Sequence, residues 1–199
     1  LQPLDTVCNA PDSDLWHTLI EADNYHALQL LEYLYAGKVD CIYIDPPYNT
    51  GARDWKYNND YVDGNDTYRH SKWLSMMEKR LQLAKKLLNP NDSVLIVTID
   101  EKEYLHLGCL LEEIFSEARM QMVTSVISAK GVVRTGQFSR VEEYIFVIEF
   151  GSSSLVPGIY NMLDNEVKKE SERSIEWLGF RRRAPQAKRE SRPNQFYPV

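Results

Sequence analysis

The feature that most constrains this chain is a short apolar run that ends abruptly in a carboxylate and two prolines. Residues 39–44 are rich in β-branched and aromatic side chains, and a turn signal follows directly, which predicts a buried parallel strand. Asp45 would then follow the carboxyl end of that strand, where open α/β sheets bind their ligands. Pro46 and Pro47 can continue neither a strand ladder nor a helix interior, so they hold the next residues rigid and extended.

This rigid turn predicts a small site for a planar amine. It would present the Asp45 carboxylate, the Pro46 carbonyl and the Tyr48 ring to one volume. The carboxylate and the carbonyl both accept hydrogen bonds and neither donates one, so the pair suits an NH2 group. An aromatic ring beside the pair suits a flat base.

Residues 43–51, with the sequence Tyr-Ile-Asp-Pro-Pro-Tyr-Asn-Thr-Gly, resemble the signature of DNA amino-methyltransferases. The string is most similar to the adenine-N6 branch with permuted (β-type) motif order, as found in modification subunits of type III restriction-modification systems. Further similar segments lie at 19–24, 68–74, 138–144 and 192–198, so the resemblance covers residues 18–199. It implies methyl transfer from S-adenosylmethionine to the N6 amine of a flipped-out adenine. The catalytic residues implied are Asp45, Pro46, Pro47 and Tyr48.

Strand and helix patterns alternate around this motif. Apolar runs predict strands, and apolar side chains at three- and four-residue steps predict helices. The predicted order is β-α-β-α-β-α-β-β, a doubly wound, Rossmann-like and mostly parallel α/β sheet that ends in an antiparallel hairpin. The resemblance makes this an incomplete S-adenosylmethionine-dependent methyltransferase fold. The predicted strands are residues 18–22, 39–44, 94–99, 122–128 and 144–150, and the predicted helices start at 24, 73 and 100.

Composition divides the chain into three parts. Residues 1–17 are polar and aperiodic, and are predicted to be an extension or loop. Residues 18–150 are predicted to be the catalytic part of the methyltransferase core, with a polar and aromatic loop at 52–69. A Gly-Ser-Ser-Ser break opens residues 151–199, a basic segment that would lead toward recognition and cofactor-loop regions. Both ends look cut, so we expect a fragment.

The resemblance assigns cofactor contacts to Asp23 and Asp45. In this family the acid at position 23 contacts the adenosyl part of S-adenosylmethionine, although Ala22 stands where the family usually has glycine. Asp23 is also a good N-cap for the helix that follows it, and the two roles can coexist. The glycines form no cofactor-binding loop, which the permuted order places after the motif. We therefore expect an incomplete cofactor pocket and an inactive fragment.

Binding to double-stranded DNA would have to come from local basic patches, because the net charge is −6. The candidate phosphate contacts fall in a late loop and in a basic run, which could equally be a solvated face. They are Lys130, Arg134, Arg140, Arg181, Arg182 and Arg183. The resemblance also implies a restriction subunit and a second modification subunit as partners.

Other site classes find little support in the sequence. The three cysteines are scattered, and Cys41 and Cys109 are predicted to be reduced core residues of a cytoplasmic protein. The four histidines show no metal-binding spacing, so no metal site is predicted. No apolar run approaches the roughly 20 residues that span a bilayer. Trp55 and its neighbouring tyrosines could line a DNA channel or pack within their own loop.

Two alternatives to adenine methylation stay open. The first is a non-catalytic DNA-docking or assembly module that keeps the fold, which the missing glycine loop favours slightly. The second is an amino-methyltransferase acting on cytosine N4 or on RNA. The cytosine-N4 branch more often begins its motif with serine, so Asp45 favours adenine without deciding it.

Overall fold

The protein is described by a computed structural model that covers residues 5–6, 14, 16–58, 60–128, 131, 136 and 138–156. This part of the chain contains three helices and six strands. In chain order they are α1 (Asn24–Tyr35), β1 (Cys41–Ile44), β2 (Ala52–Tyr57), β3 (Asp60–Asp63), α2 (Arg69–Leu87), β4 (Asp92–Ile99), α3 (Tyr104–Ile114), β5 (Arg119–Val126) and β6 (Glu142–Gly151).

Four of the strands form one mixed sheet in the order β1-β4-β6-β5. β1 and β4 are parallel, and Ile42 lies opposite Leu95. β6 lies between β4 and β5 and is antiparallel to both. Three strands therefore run in one direction and only β6 is reversed, which confirms the predicted α/β sheet with an antiparallel terminal pair.

The core lies on one face of this sheet. β4 alternates along its length, with Leu95, Val97 and Ile99 fully buried on that face. Helices α2 and α3 cover it with side chains at helical spacing, namely Trp73, Met77, Leu81, Leu107, Leu111 and Phe115. Because burying one large apolar side chain contributes roughly 1.5–3 kcal/mol, this layer is the main source of stability and holds the ends of β1 and β4 in place.

Helix α1 packs beside α2 and has the predicted ends. The Asp23 carboxylate accepts hydrogen bonds from the backbone N–H groups of Tyr25 and His26, at 3.1 and 3.2 Å, so Asp23 is the N-cap. Gly37 follows the helix with a φ of +66°, as expected of a glycine stop. Lys86 of α2 lies 3.0 Å from Glu32 of α1, which joins the two helices at their surface.

The predicted strand at 18–22 is wrong. These residues form no ladder with any strand that the structure describes, and the Leu19 side chain is almost fully exposed. A strand needs a neighbour to satisfy its backbone groups, and apolar residues alone do not supply one. The predicted βαβ unit is therefore replaced by α1 leading into β1, whose parallel partner is β4.

The predicted loop at 52–69 is also wrong, because most of it is an antiparallel hairpin of β2 and β3. The residues that join the strands are polar, and Asn58 has a φ of +51° in the turn. The base of the hairpin is closed by two glycines, since a Cβ on Gly51 would lie 2.6 Å from the Cα of Gly64. Trp55 is buried against the core, so it packs inward and does not line a channel.

Smaller differences have local causes. Helix α3 begins at Tyr104, four residues after the predicted start, and β5 begins three residues before its predicted start because its register follows β6. The prediction that Cys41 and Cys109 are core residues is wrong, since both are exposed. Cys41 alternates onto the face of β1 away from the core, and Cys109 lies on the outer side of α3.

The chain divides into two compact units, Leu1–Leu155 and Val156–Val199. The predicted boundary between residues 150 and 151 falls five residues earlier, and the functions assigned to the segments remain predictions. Residues 157–199 lie outside the described part of the chain. Among the helices that the structure describes, none has the length and apolar character needed to cross a membrane.

Candidate active site

The motif begins where β1 ends, at the carboxyl edge of the parallel pair. Ile44 is the last residue of β1 and lies opposite Val97 of β4, so Asp45 emerges beside Thr98. The Thr98 hydroxyl donates a hydrogen bond of 2.7 Å to Oδ1 of Asp45. The Asp45 side chain is otherwise exposed. Two neighbouring strands thus fix the orientation of an accessible carboxylate, as predicted for a ligand site at this edge.

Tyr48 supplies a neutral aromatic ring next to that carboxylate. The pKa of the Tyr48 phenol is raised to about 12, chiefly by burial and also by the nearby Asp45 and Glu143, while a hydrogen bond with Thr98 acts in the opposite direction. The phenol therefore stays protonated at neutral pH. The half-buried ring and the exposed carboxylate therefore lie next to each other, and their role in binding a base stays a prediction.

The two prolines connect this arrangement to the core. Pro46 is buried, and the carbonyl of Pro47 accepts a hydrogen bond of 2.7 Å from the indole Nε1 of Trp73. Trp73 is fully buried in α2. This contact satisfies a backbone acceptor inside the protein and ties the turn to the helix layer. The Pro46 carbonyl as a substrate contact stays a prediction.

Asn49 holds the other end of the turn, a role that the sequence did not reveal. Its backbone has a φ of +54°, which asparagine tolerates better than most residues, and its side chain is almost fully buried. The Asn49 amide donates a very short hydrogen bond to Oε1 of Glu103. Its carbonyl oxygen accepts a hydrogen bond of 3.3 Å from Nε1 of Trp55.

Glu103 lies at the N-cap of α3, but its side chain turns inward and does not cap the helix. The Asp100 carboxylate, just before this helix, accepts a hydrogen bond of 3.0 Å from the N–H of Lys102. Glu103 Oε1 lies 2.5 Å from Nδ1 of His70, and Oε2 lies 3.1 Å from Nδ1 of His106. A fully buried carboxylate is thus surrounded by nitrogen atoms.

Within the described ranges, His70, Glu103 and His106 are the group whose ligand atoms lie close enough together for a metal ion, within 4.8 Å. The Arg69 guanidinium donates a hydrogen bond of 3.2 Å to Nε2 of His70. Nε2 must then be unprotonated, so Nδ1 carries the proton and its N–H donates a hydrogen bond to Glu103. Hydrogen bonding thus accounts for the contact between His70 and Glu103.

The predicted cofactor contact at Asp23 lies at the start of α1. Oδ1 serves the helix cap and lies 3.3 Å from the His26 ring, and the side chain is 60% exposed. The carboxylate therefore remains accessible to a ligand, and its role in cofactor binding stays a prediction.

Arg140 is the predicted DNA contact that falls in the described part of the chain. Its guanidinium lies 3.3 Å from Glu101 and forms a very short ion pair with Glu143, so it is half-buried in an ionic cluster. This cluster adjoins the site, because the charge of Glu143 acts on Tyr48. DNA binding by Arg140 stays a prediction. The other candidates, Lys130, Arg134, Arg181, Arg182 and Arg183, lie outside the described residues.

The fold and the strand-end residues define a class, the α/β proteins with a candidate ligand site at the carboxyl edge of their parallel strands. Residues 39–197 match the family described as DNA methylase. The chain belongs to that family, which confirms the resemblance on which the sequence-based assignment depends.

Curated relatives agree with this family. The chain is 30% identical to the type III restriction-modification enzyme EcoPI Mod subunit of Escherichia phage P1, over 91% of this chain and 32% of that protein. It is 39% identical to the probable HindVI Mod subunit of Haemophilus influenzae, over 58% of this chain and 14% of that protein. It is 29% identical to the type II methyltransferase M.KpnI of Klebsiella pneumoniae, over its whole length and 46% of that protein. The chain therefore spans less than half of each relative.

A comparison with solved structures finds the M1.HpyAVI–SAM complex. The sequence identity is 17% and the TM-score is 0.44, over 74% of this chain and 60% of that one.

Proposed function

We propose that this chain carries the base-binding half of a DNA adenine-N6 methyltransferase site. The observation that supports this most strongly is the accessible Asp45 carboxylate, oriented by Thr98 beside the neutral ring of Tyr48. Membership of the DNA methylase family supplies the reaction class. The substrate would be an adenine flipped out of double-stranded DNA, because its amine is inaccessible inside the duplex.

The residues act on a poor nucleophile. The lone pair of an aryl amine is delocalised into the ring, and acceptors outside the base plane favour a pyramidal nitrogen whose lone pair is free. The Asp45 carboxylate would accept one amine hydrogen and the Pro46 carbonyl the other, while Tyr48 stacks on the base. As the new N–C bond forms and the S–C bond of the donor breaks, the nitrogen loses one proton. Asp45 is exposed and can pass that proton to solvent.

S-adenosylmethionine, when bound, supplies an electrophilic methyl group on its sulfonium. The described residues fit a part of this cofactor. The exposed Asp23 carboxylate suits the hydroxyl donors of an adenosyl group, and Asp45 would lie beside the reacting methyl. These residues would orient the donor, and a further cofactor-binding segment is expected from the permuted family order.

Replacing Asp45 tests this proposal. In the intact enzyme, Asp45→Ala should abolish transfer of a labelled methyl group to DNA and leave DNA binding intact, because it removes the oriented acceptor. Asp40→Ala is a matched control, since Asp40 is an exposed aspartate at the opposite end of β1. Retained methylation in Asp45→Ala would contradict the mechanism, and equal loss in Asp40→Ala would point to general destabilisation.

Tyr48 tests the stacking role separately. Stacking contributes roughly 1–3 kcal/mol per base, so Tyr48→Ala should lower methylation by about one to two orders of magnitude. Tyr48→Phe keeps the ring and should stay close to wild type. A large loss in Tyr48→Phe would instead assign the function to the phenol oxygen.

The target base and the partners are the finer parts of the proposal. Digesting modified DNA to nucleosides would separate N6-methyladenine from N4-methylcytosine, and the first is expected. The EcoPI and HindVI relatives are Mod subunits of restriction-modification enzymes. We therefore propose that this chain has a restriction subunit and a second modification subunit as partners. Copurification of differently tagged subunits would test both. Action on the genome would place the enzyme in the cytoplasm.

A further inference from the structure

A single buried carboxylate joins the motif to the helix layer. Glu103 is fully buried, and its oxygens lie against Asn49 of the motif, His70 of α2 and His106 of α3. Burying a charge is costly unless it is paired and hydrogen-bonded, and an apolar side chain at such a site is often more stable. A contribution to stability therefore does not explain why a carboxylate occupies this buried position.

The explanation lies in the residue that Glu103 contacts. Asn49 directly follows Tyr48 and has a left-handed backbone, which asparagine tolerates better than most residues but which still needs contacts to hold it. Those contacts are the Glu103 carboxylate on the amide nitrogen and the Trp55 indole on the amide oxygen. Because φ and ψ of Asn49 set the course of the backbone next to Tyr48, anchoring the Asn49 side chain restrains the backbone of the motif at this point.

The tautomer of His70 that its hydrogen bonds indicate supports this arrangement. The hydrogen bond from Arg69 to Nε2 leaves the proton of His70 on Nδ1, from which it points at Glu103. A metal ion on Nδ1 would require a proton on Nε2, which would then face the N–H of Arg69. These two N–H groups would repel each other. The geometry therefore favours a Glu103 carboxylate that accepts hydrogen bonds from Asn49 and His70.

We propose that Glu103 is a positioning residue for methyl transfer, which acts through Asn49 to hold the Tyr48 ring and the Asp45–Tyr48 turn in the orientation that receives the base. The inference rests on the proposed function. Glu103 itself touches neither base nor cofactor in this account. It keeps the first turns of α2 and α3 and the motif in one fixed relation.

The experiment compares three variants of the intact enzyme. Glu103→Ala removes both hydrogen-bond acceptors. Glu103→Gln keeps the shape and one acceptor oxygen for Asn49, and its amide can donate to His106. Leu111→Ala is the stability control, since Leu111 is equally buried two turns further along α3 and is packed in the apolar core. The measurements are kcat and KM for DNA methylation, the melting temperature and the NMR signal of the Trp55 indole N–H.

Glu103→Ala should lower kcat by about tenfold or more with KM changed by less than about threefold, because the loss is one of orientation. Its Trp55 indole signal should move, since the partner Asn49 is released. Glu103→Gln should restore kcat to within about threefold of wild type. Leu111→Ala should lower the melting temperature and leave kcat and the Trp55 signal nearly unchanged.

Results that contradict the positioning role can be distinguished from results that contradict the proposed function. An unchanged kcat in Glu103→Ala, or an equal loss of kcat in Leu111→Ala, would overturn the positioning role while methylation stands. Stoichiometric zinc or nickel in the purified protein that disappears in Glu103→Ala would replace the hydrogen-bond account with a metal site. Absence of methylation by the wild-type enzyme would refute the proposed function itself.

Discussion

Replacing Thr98 by valine should slow methyl transfer without unfolding the protein. Thr98 is half-buried at the end of β4, and its hydroxyl is the hydrogen-bond donor, at 2.7 Å, that orients the Asp45 carboxylate. Valine has nearly the same shape and no hydroxyl. The carboxylate would then rotate more freely and exchange this fixed partner for water, so fewer bound bases would meet an acceptor in the productive position.

The size of the effect follows from the exposure of Asp45. Hydrogen bonds to charged groups contribute roughly 1.5–3 kcal/mol, and the lower end applies because water reaches this carboxylate. About 1.4 kcal/mol corresponds to about a tenfold loss in kcat. Thr98→Val should therefore fall between the wild type and Asp45→Ala. The pKa of Tyr48 should also move further upward, because its hydrogen bond with Thr98 lowers that pKa.

Single-turnover transfer of a labelled methyl group, at saturating DNA and cofactor, is the suitable assay. Thr98→Ser is the matched control, since it keeps the hydroxyl and loses only the methyl group, and it should remain within about threefold of wild type. A Thr98→Val rate equal to that of the wild type would refute the orienting role of the Thr98 hydroxyl. An equal loss of rate in Thr98→Ser and Thr98→Val would also refute this role, because packing and not the hydroxyl would then be responsible.

Two further predictions concern stability and can be tested on the chain itself. Trp73→Phe should destabilise the protein by roughly 2–4 kcal/mol in urea unfolding, because it leaves the Pro47 carbonyl without its donor and opens a cavity; a change below about 1 kcal/mol would contradict the anchoring role. Asp100→Asn should raise the melting temperature at neutral pH, because burial raises the pKa of Asp100 above its ordinary 3.8 and the folded state favours the neutral form. This advantage should shrink as the pH falls through the raised pKa and vanish below 3.8, and a constant difference across pH would argue against titration of Asp100.

The sequence predicted those parts of the site that depend on neighbours along the chain. The strand before Asp45 was visible because apolar residues, a carboxylate and two prolines follow one another directly. Asp23 was recognisable as an N-cap because the helix pattern starts beside it. Each of these inferences needs only a few consecutive residues, and local backbone preferences are sufficient to make them.

The remaining parts depend on pairing between distant segments. Thr98 looked like one more residue of an apolar strand, and only the register of β4 against β1 brings it to Asp45. Glu103 lies 54 positions from Asn49, and the spacing to His106 matches one helical turn but carries no sign of a shared partner. The strand predicted at 18–22 failed for the same reason, since apolar residues do not specify a pairing partner.

The order of the strands has a consequence for how the protein forms during synthesis. Among the described residues β6 is the last strand in sequence, yet it lies between β4 and β5 and joins them. A nascent chain from which β6 has not yet emerged can pair β1 with β4, but β5 has no partner and one edge of β4 has unpaired backbone N–H and C=O groups. Closing a loop of this length before any pairing energy is gained slows folding. The unpaired edge of β4 is therefore open to aggregation and proteolysis in the interval between the emergence of β4 and that of β6.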